Sequence, residues 1–437
     1  MNLIELPRRV DQGRCHVAPN RSSTVCVLDV GTTKIACLIA KLRPGTEDEL
    51  LAGRTHAIEV IGYGYQQSRG VKSGTVVDLD KAEHAIRRAV DAAEQMAGVT
   101  IESLIVTQTC GRLKSETFGA TVDLDHGAVR EGDIRRVLSA SSRHQIKEGR
   151  TALHALPTGY SLDGQTGIKD PRGMVGDVLG VDVNLVTAER SAQENLALAI
   201  NRCHLDVDGL VATPYASGLA SLVDDEAELG AVCVDIGGGT ATIAIFADGN
   251  LVHVDAIAIG GHHVTMDIAH CLSIRVDEAE RLKTLHGSAI AAARDERDTI
   301  TIHPIGEDGA VPHTLPRLTL NTIIRPRVDE ILELVRDRLV ASGFAGRIGR
   351  RVVMTGGGSQ LTGLTEVARS IFGRPVRLGR PLGVKGLPIA ARGAAFSAVL
   401  GLLIYPQLPP ASLFDIGAGA SGNGYFARVG RWLRESF

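Results

Sequence analysis

The sequence predicts an α/β protein built from two similar lobes, and three observations carry that expectation. Residues 24–42 (TVCVLDVGTTKIACLIAKL) and 231–247 (AVCVDIGGGTATIAIFA) share one pattern: an apolar strand, an Asp near its end, a Gly/Thr turn and a second apolar strand. Each is followed by one more strand-like run, at 57–65 and 251–259, and then by a helix-like segment, at 80–96 and 264–272. The chain has 437 residues, more than one simple core holds. A duplicated β-β-β-α unit implies two α/β halves, and sheets of this kind bind ligands where their strands end.

The elements then follow in order. Residues 1–22 show no usable pattern and are expected to be a disordered N-terminus. Residues 23–100 and 187–210 form the first lobe. Between these segments, 101–186 reads as a small α/β insert, with strand-like pieces at 104–109 and 152–160 and a helical piece at 131–146. The second lobe takes 211–275 and 321–405, and 276–320 breaks its pattern as an upper subdomain. Residues 326–341 place Val328, Ile331, Leu332, Val335 and Leu339 on one face of an amphipathic helix. A strand at 351–355, a glycine run and a helix at 364–372 come next. Residues 406–423 are rich in Pro, Gly, Ala and Ser and read as a flexible linker to a last segment, 424–437.

Composition narrows the functional classes. The apolar fraction of 44% and charged fraction of 22% are those of a soluble globule. A net charge of -3 argues against nucleic acid as a partner. The first twenty residues hold no sustained apolar stretch, so no secretory signal is expected, and the apolar run at 394–405 is too short to span a bilayer. No C-x-x-C pair occurs among the seven cysteines; Cys26, Cys37 and Cys233 lie in strand-like runs, as buried thiols of a reducing cytosol would. His262 and His263 read as a polar helix start rather than as metal ligands.

The glycine turns carry the chemistry. A nucleoside triphosphate is a dense anion, and backbone N–H groups hold it only where glycine lets the chain come close. Gly31, Thr32, Thr33 and Lys34 supply close approach, hydroxyl donors and a positive charge; Gly237, Gly238, Gly239 and Thr240 supply a second jaw. Asp29 and Asp235 precede the two turns, suited to Mg²⁺ held through water. A third run, Gly356, Gly357 and Gly358, followed by Ser359, Gln360 and Leu361, sits after an apolar strand where ribose and base could lie. Neither a Walker A pattern nor a strand-linked G-x-G-x-x-G is present.

These three motifs in this order resemble the actin, heat-shock chaperone and sugar kinase superfamily. The resemblance implies an actin-like two-lobed fold of duplicated ribonuclease-H-like halves with ATP and Mg²⁺ in the cleft. Glu280 and Lys283, in DEAERLK, look like the Glu-x-x-Lys pair that reaches the adenosine. Within the superfamily the chain most resembles FtsA, the bacterial cell-division actin homologues, through SRGVKSGTVVDL (68–79), GIKDPRGM (167–174), ELGAVCVDIGGGT (228–240), DEAERLKTLHG (277–287) and WLRESF (432–437). The insert at 101–186 then corresponds to the family's 1C subdomain. The resemblance implies a protein that polymerises on the cytoplasmic face of the inner membrane at the division septum. It also implies binding of the FtsZ C-terminal peptide on the upper second lobe, with Arg317 and Arg327 as candidate basic contacts, and contact with later division proteins such as FtsN. Relatives of the pilus-assembly adaptor PilM, or a small-molecule kinase of the same fold, are the alternatives.

Placed on a helix, Tyr425, Phe426, Val429, Trp432 and Leu433 form one apolar stripe, flanked by Arg428, Arg431 and Arg434. Such a C-terminal amphipathic helix fits the headgroup layer of anionic lipids, each arginine adding about 1 kcal/mol. Hydrolysis would need a group to orient water. The joining segment 212–217 (ATPYAS) holds no Glu or Gln, and Thr213 stands where related filament proteins often have Glu. Slow or absent turnover is expected.

Overall fold

The structure, a computed structural model, describes residues 15–408 except 47–49, 52, 111, 126, 306–311, 345, 347, 348 and 350. The expected amphipathic helix (Tyr425, Phe426, Arg428, Val429, Arg431, Trp432, Leu433 and Arg434) and most of the linker lie outside the described residues.

The first lobe begins with β1 (Ser23–Val30), β2 (Lys34–Pro44) and β3 (His56–Gln67), then a small hairpin of β4 (Val71–Lys72) and β5 (Thr75–Val76), helix α1 (Leu79–Ala97) and β6 (Ser103–Gln108). The Asp78 carboxylate accepts the Lys81 N–H to start α1, and Gly98, in the left-handed region at φ 67°, ends it. The insert follows as β7 (Lys114–Asp123), α2 (Glu131–Ser141), β8 (Arg150–Leu162), β9 (Gln165–Ile168) and β10 (Val178–Glu189). The chain then returns through α3 (Arg190–Asn201) and β11 (Asp206–Ala212). Helices α4 (Thr213–Ser221) and α5 (Asp224–Leu229) lead to β12 (Ala231–Ile236), β13 (Ala241–Ala247), β14 (Asn250–Ile257) and α6 (Gly261–Leu272). There follow α7 (Val276–His286), the ribbon of β15 (Thr299–Ile302) and β16 (His313–Pro316), α8 (Arg317–Ala341), β17 (Arg351–Thr355), α9 (Leu364–Phe372) and β18 (Val376–Leu378). Short β19 (Val384–Lys385) and α10 (Ser397–Ile404) close the described chain.

The two large sheets repeat one plan. The first runs β11-β6-β1-β2-β3-β19 and the second β14-β13-β12-β17-β18. In each, a tight antiparallel hairpin (β1–β2, β12–β13) is flanked on one side by a third antiparallel strand and on the other by parallel strands. The insert is a separate sheet, β7-β10-β8-β9. One core runs through the first lobe, α4, α10 and the near face of the second sheet; another fills the far face of that sheet under α6, α8 and α9. The chain's end crosses back: β19 pairs with β3, and every residue of α10 is buried, packed on β1, β2, β6 and α4.

Three expectations change. Helix α8 starts at Arg317, not Pro326, so it runs through the boundary placed at 321 with Pro326 inside it. An interior proline costs about 3 kcal/mol. Buried Leu320 and Ile324 before it and Val328, Ile331, Leu332 and Val335 after it form one continuous stripe, and that burial prevails. Residues 15–17, within the stretch expected to lack structure, are packed, while 18–22 are exposed: Cys15 and Val17 are buried, and the Val17 N–H donates to the Pro406 carbonyl at 2.9 Å. Residues 406 and 407, placed in the linker, are also packed; buried Gln407 accepts the N–H groups of Thr55 and His56 on its Oε1.

None of the seven cysteines, all among the described residues, forms a disulfide, and Cys37 and Cys233 are buried on strands. Among the described residues no helix is long and apolar enough to cross a membrane.

Candidate functional site

The turns between β1 and β2 and between β12 and β13 are built alike. The Gly31 N–H donates to the Lys34 carbonyl at 2.9 Å, and the Gly237 N–H to the Thr240 carbonyl at 2.8 Å. The turns face each other. A side chain on Gly238 would strike Thr33, and one on Gly239 would strike Thr32. Thr32 is itself fixed, its hydroxyl accepting the Gly74 N–H at 2.9 Å. Helix α6 closes on the second turn: the N–H groups of Gly261 and His262 donate to the carbonyls of Gly237 and Gly238 at 2.9 and 2.7 Å. Helix α6 thus brings its N-terminus, the end that favours anions, to the glycine turn.

The third glycine run approaches from β17. Gly356 adopts φ 85°, in the left-handed region, and a side chain there would overlap the Asp235 carboxylate. Gly357–Gln360 is one 3₁₀ turn. Together the second and third runs, Thr33, α6 and α7 enclose a cavity of about 410 Å³, a volume in the range of ligand sites. Of the predicted residues, Thr33, Gly237, Gly238, Glu280, Lys283, Gly357, Gly358 and Gln360 line it. Lys283 Nζ donates to Glu280 at 2.7 Å, to the Thr265 hydroxyl at 2.8 Å and to the Gly261 carbonyl at 3.0 Å, so this pair is both an internal ion pair and a wall of the cavity.

Asp29, Gly31, Thr32, Lys34, Asp235, Gly239, Thr240 and Gly356 lie outside that lining. The two aspartates are buried behind the turns. Asp29 accepts the Thr107 hydroxyl at 2.7 Å and Lys34 Nζ at 3.1 Å, and that ammonium stands 4.5 Å from the centre of the Phe396 ring. Asp235 accepts the Ser217 hydroxyl of α4. Burial, reinforced by the charge of Asp29, pushes the Asp235 carboxyl up to about 6, against the Ser217 hydrogen bond and the Lys34 charge that favour its anion. Among the described residues no group of three or more His, Cys, Asp or Glu could hold a metal, so any cation here would take most of its ligands from a bound anion and water. Two buried carboxylates behind facing turns, the charge of Asp29 felt at Asp235, fit that role.

Sequence reasoning missed Thr107, Ser217, His262 and Phe396. Thr107 left no local signal: only the pairing of β6 beside β1, with Leu28 opposite Val106, sets it next to Asp29. His262 lines the cavity, and burial lowers its pKa from the ordinary histidine value. Thr213 begins α4 and shares a 2.6 Å hydrogen bond with the Thr109 hydroxyl. Both candidate basic contacts are engaged within the chain. Arg327 grips Asp267 with two bonds of 2.6 and 3.0 Å, and Arg317 Nε donates to the His286 carbonyl at 2.7 Å. A larger cleft of about 690 Å³ opens at the opposite ends of β1 and β6, between residues 15–26 and 99–105.

Comparison with known proteins places these features. The family model described as Cell division protein FtsA matches residues 232–401, and that described as SHS2 domain inserted in FTSA matches 110–187. The curated Cell division protein FtsA of Rhizobium meliloti is 56% identical over 422 residues, 95% of this chain and 96% of its own length. That of Pseudomonas aeruginosa is 36% identical, covering 94% and 97%, and that of Escherichia coli 31%, covering 94% and 97%. Among solved structures, a PilM-PilN type IV pilus biogenesis complex matches with TM-score 0.59 at 14% identity, over 88% of this chain and 99% of that one. MreB 5 of Spiroplasma citri bound to AMPPNP matches with TM-score 0.51 at 14% identity, over 87% and 95%. These structures share the actin-like fold.

Proposed function

The chain belongs to the FtsA family of cell division proteins, and from that premise we propose that it binds ATP with Mg²⁺ between its two glycine turns and works as a filament-forming adaptor of the division machinery. One observation carries the proposal: two facing Asp-Gly-Thr hairpins, too close to admit a side chain, stand beside a cavity of about 410 Å³. The triphosphate lies along the N–H groups of the turns, with Lys34 as a nearby charge. Asp29 and Asp235 would hold the magnesium through water, and the ion would supply charge to offset the triphosphate. The Gly356–Gln360 turn, Glu280 and Lys283 receive the adenosine. With Thr213 rather than a carboxylate at the start of α4, turnover is slow, and ATP acts as a switch for self-association.

The same proposal places the protein on the cytoplasmic face of the inner membrane at the septum. Residues 424–437 bind anionic lipid, and the upper second lobe around Arg317 and Arg327 receives the acidic FtsZ C-terminal peptide. Later division proteins such as FtsN dock elsewhere. The full-length identity to cell division proteins supports this over the pilus-adaptor alternative, which shares the fold at 14% identity. Titration with a fluorescent ATP analogue, with and without Mg²⁺, tests the central claim. Saturable Mg²⁺-dependent binding supports it; no binding at millimolar analogue overturns it. Phosphate release at tens per second would overturn the switch role.

A further inference from the structure

The insert sheet touches more than the lobe that carries it. One face, with Ala155, Val181, Val183 and Leu185, packs on α2. His154 and Asn184 share the other face, because Val186 of β10 stands opposite His154 of β8 and Asn184 lies two residues along the same strand. His154 is buried, and its Nε2 accepts the Ala212 N–H at 2.9 Å. Burial holds that ring far below the usual histidine range, at about 3, so it is neutral and this nitrogen carries the lone pair. Asn184 is fully buried; its Nδ2 donates to the Leu251 carbonyl at 2.9 Å, and the Ser115 hydroxyl donates to its Oδ1.

The two bonds reach different bodies. Ala212 ends β11 and directly precedes α4, whose Ser217 holds Asp235. Leu251 belongs to β14, the edge strand of the second sheet. Two outer ties run beside the second bond: Asn250 Nδ2 donates to the Thr158 carbonyl at 3.4 Å, and Lys169 pairs with Glu228 at 2.8 Å.

We propose that the insert is a clasp across the two lobes: His154 ties it to the start of α4, Asn184 ties it to the second lobe's edge, and a shift of the insert against that edge passes through α4 to Ser217 and Asp235. Both ties are buried hydrogen bonds, so they are held or broken rather than stretched by degrees. The coupling is reciprocal: a ligand that fixes Asp235 also tightens the insert on β14. The ligand half of this inference rests on the nucleotide reading; the joint itself does not.

The test uses the full chain carrying Asn184→Ala, which breaks the second-lobe tie without touching α4. Amide hydrogen exchange over residues 213–221 is expected to quicken at least about fivefold, and release of a fluorescent ATP analogue to quicken by a similar factor. Val137→Ala, in the insert's opposite core, loosens the insert while leaving both ties, and is expected to leave both readouts within about twofold of the parent chain. His154→Gln, whose amide oxygen can accept the same N–H, is expected to stay closer to the parent than His154→Leu. Parent-like exchange in α4 for folded Asn184→Ala, or an equal change from Val137→Ala, overturns the clasp. If the parent chain takes up no analogue, the nucleotide reading fails, and exchange in α4 still decides the clasp.

Discussion

Gly238 lies against Thr33 with no space for a side chain: a β-carbon there would stand 2.7 Å from the Thr33 hydroxyl and would strike its methyl. One lobe's turn therefore gauges the position of the other's. Gly238→Ala is expected to keep its fold and weaken binding of a fluorescent ATP analogue by tenfold or more, about 1.4 kcal/mol or above. Thr33→Ala in the same chain removes both clashing atoms and is expected to recover part of the loss. Titration of the three variants checks this.

The raised Asp235 carboxyl sets a pH dependence. An Asp with a folded value of about 6 against an ordinary 3.8 favours the protonated form when folded. The group imposes no cost below pH 3.8, a growing cost from there to about 6, and its full cost above. At about 1.4 kcal/mol per unit that full cost is roughly 3 kcal/mol. Asp235→Asn is therefore expected to raise the unfolding free energy at pH 8, with a smaller gain at pH 5. Denaturant unfolding at the two pH values checks the sign, and the same variant is expected to lose Mg²⁺-dependent nucleotide binding.

Lys34 neutralises Asp29 in a mostly buried pair. Lys34→Met leaves that carboxylate with the Thr107 hydroxyl alone and is expected to cost about 1–3 kcal/mol of stability in the ligand-free protein. Asp29→Asn in the Lys34→Met chain removes the stranded charge and is expected to return part of it. Urea unfolding of the single and double variants measures both.

Deleting residues 424–437 is expected to abolish co-sedimentation with vesicles containing anionic lipid while leaving nucleotide binding unchanged. Added salt is expected to weaken the full chain's vesicle binding, since Arg428, Arg431 and Arg434 supply part of the attraction. Equal sedimentation with and without the segment would overturn the tail's assigned role.

The duplicated halves were legible because each Asp-Gly-Thr turn sits between two apolar runs, and a hairpin is a local object. Asp29 and Asp235 could be picked out for the same reason. Their hydroxyl partners could not, since Thr107 comes from a strand 78 positions away and Ser217 from a helix buried on every side. Local rules also misplaced the start of α8, where tertiary burial of Leu320 and Ile324 outweighs the proline. Residues 15–22 have no periodicity to detect; Val17 is fixed by one backbone bond to Pro406, and Arg21 by the imidazole of His56.

Helix α10 gives the first lobe mechanical custody of whatever follows it. Its Gly401 has no room for a β-carbon against the Ala216 carbonyl, and Gln407 is pinned to the backbone of β3 just beyond it. Tension on residues past 408 would be borne in shear by the first lobe's core, with β19 sharing the load at the sheet's edge.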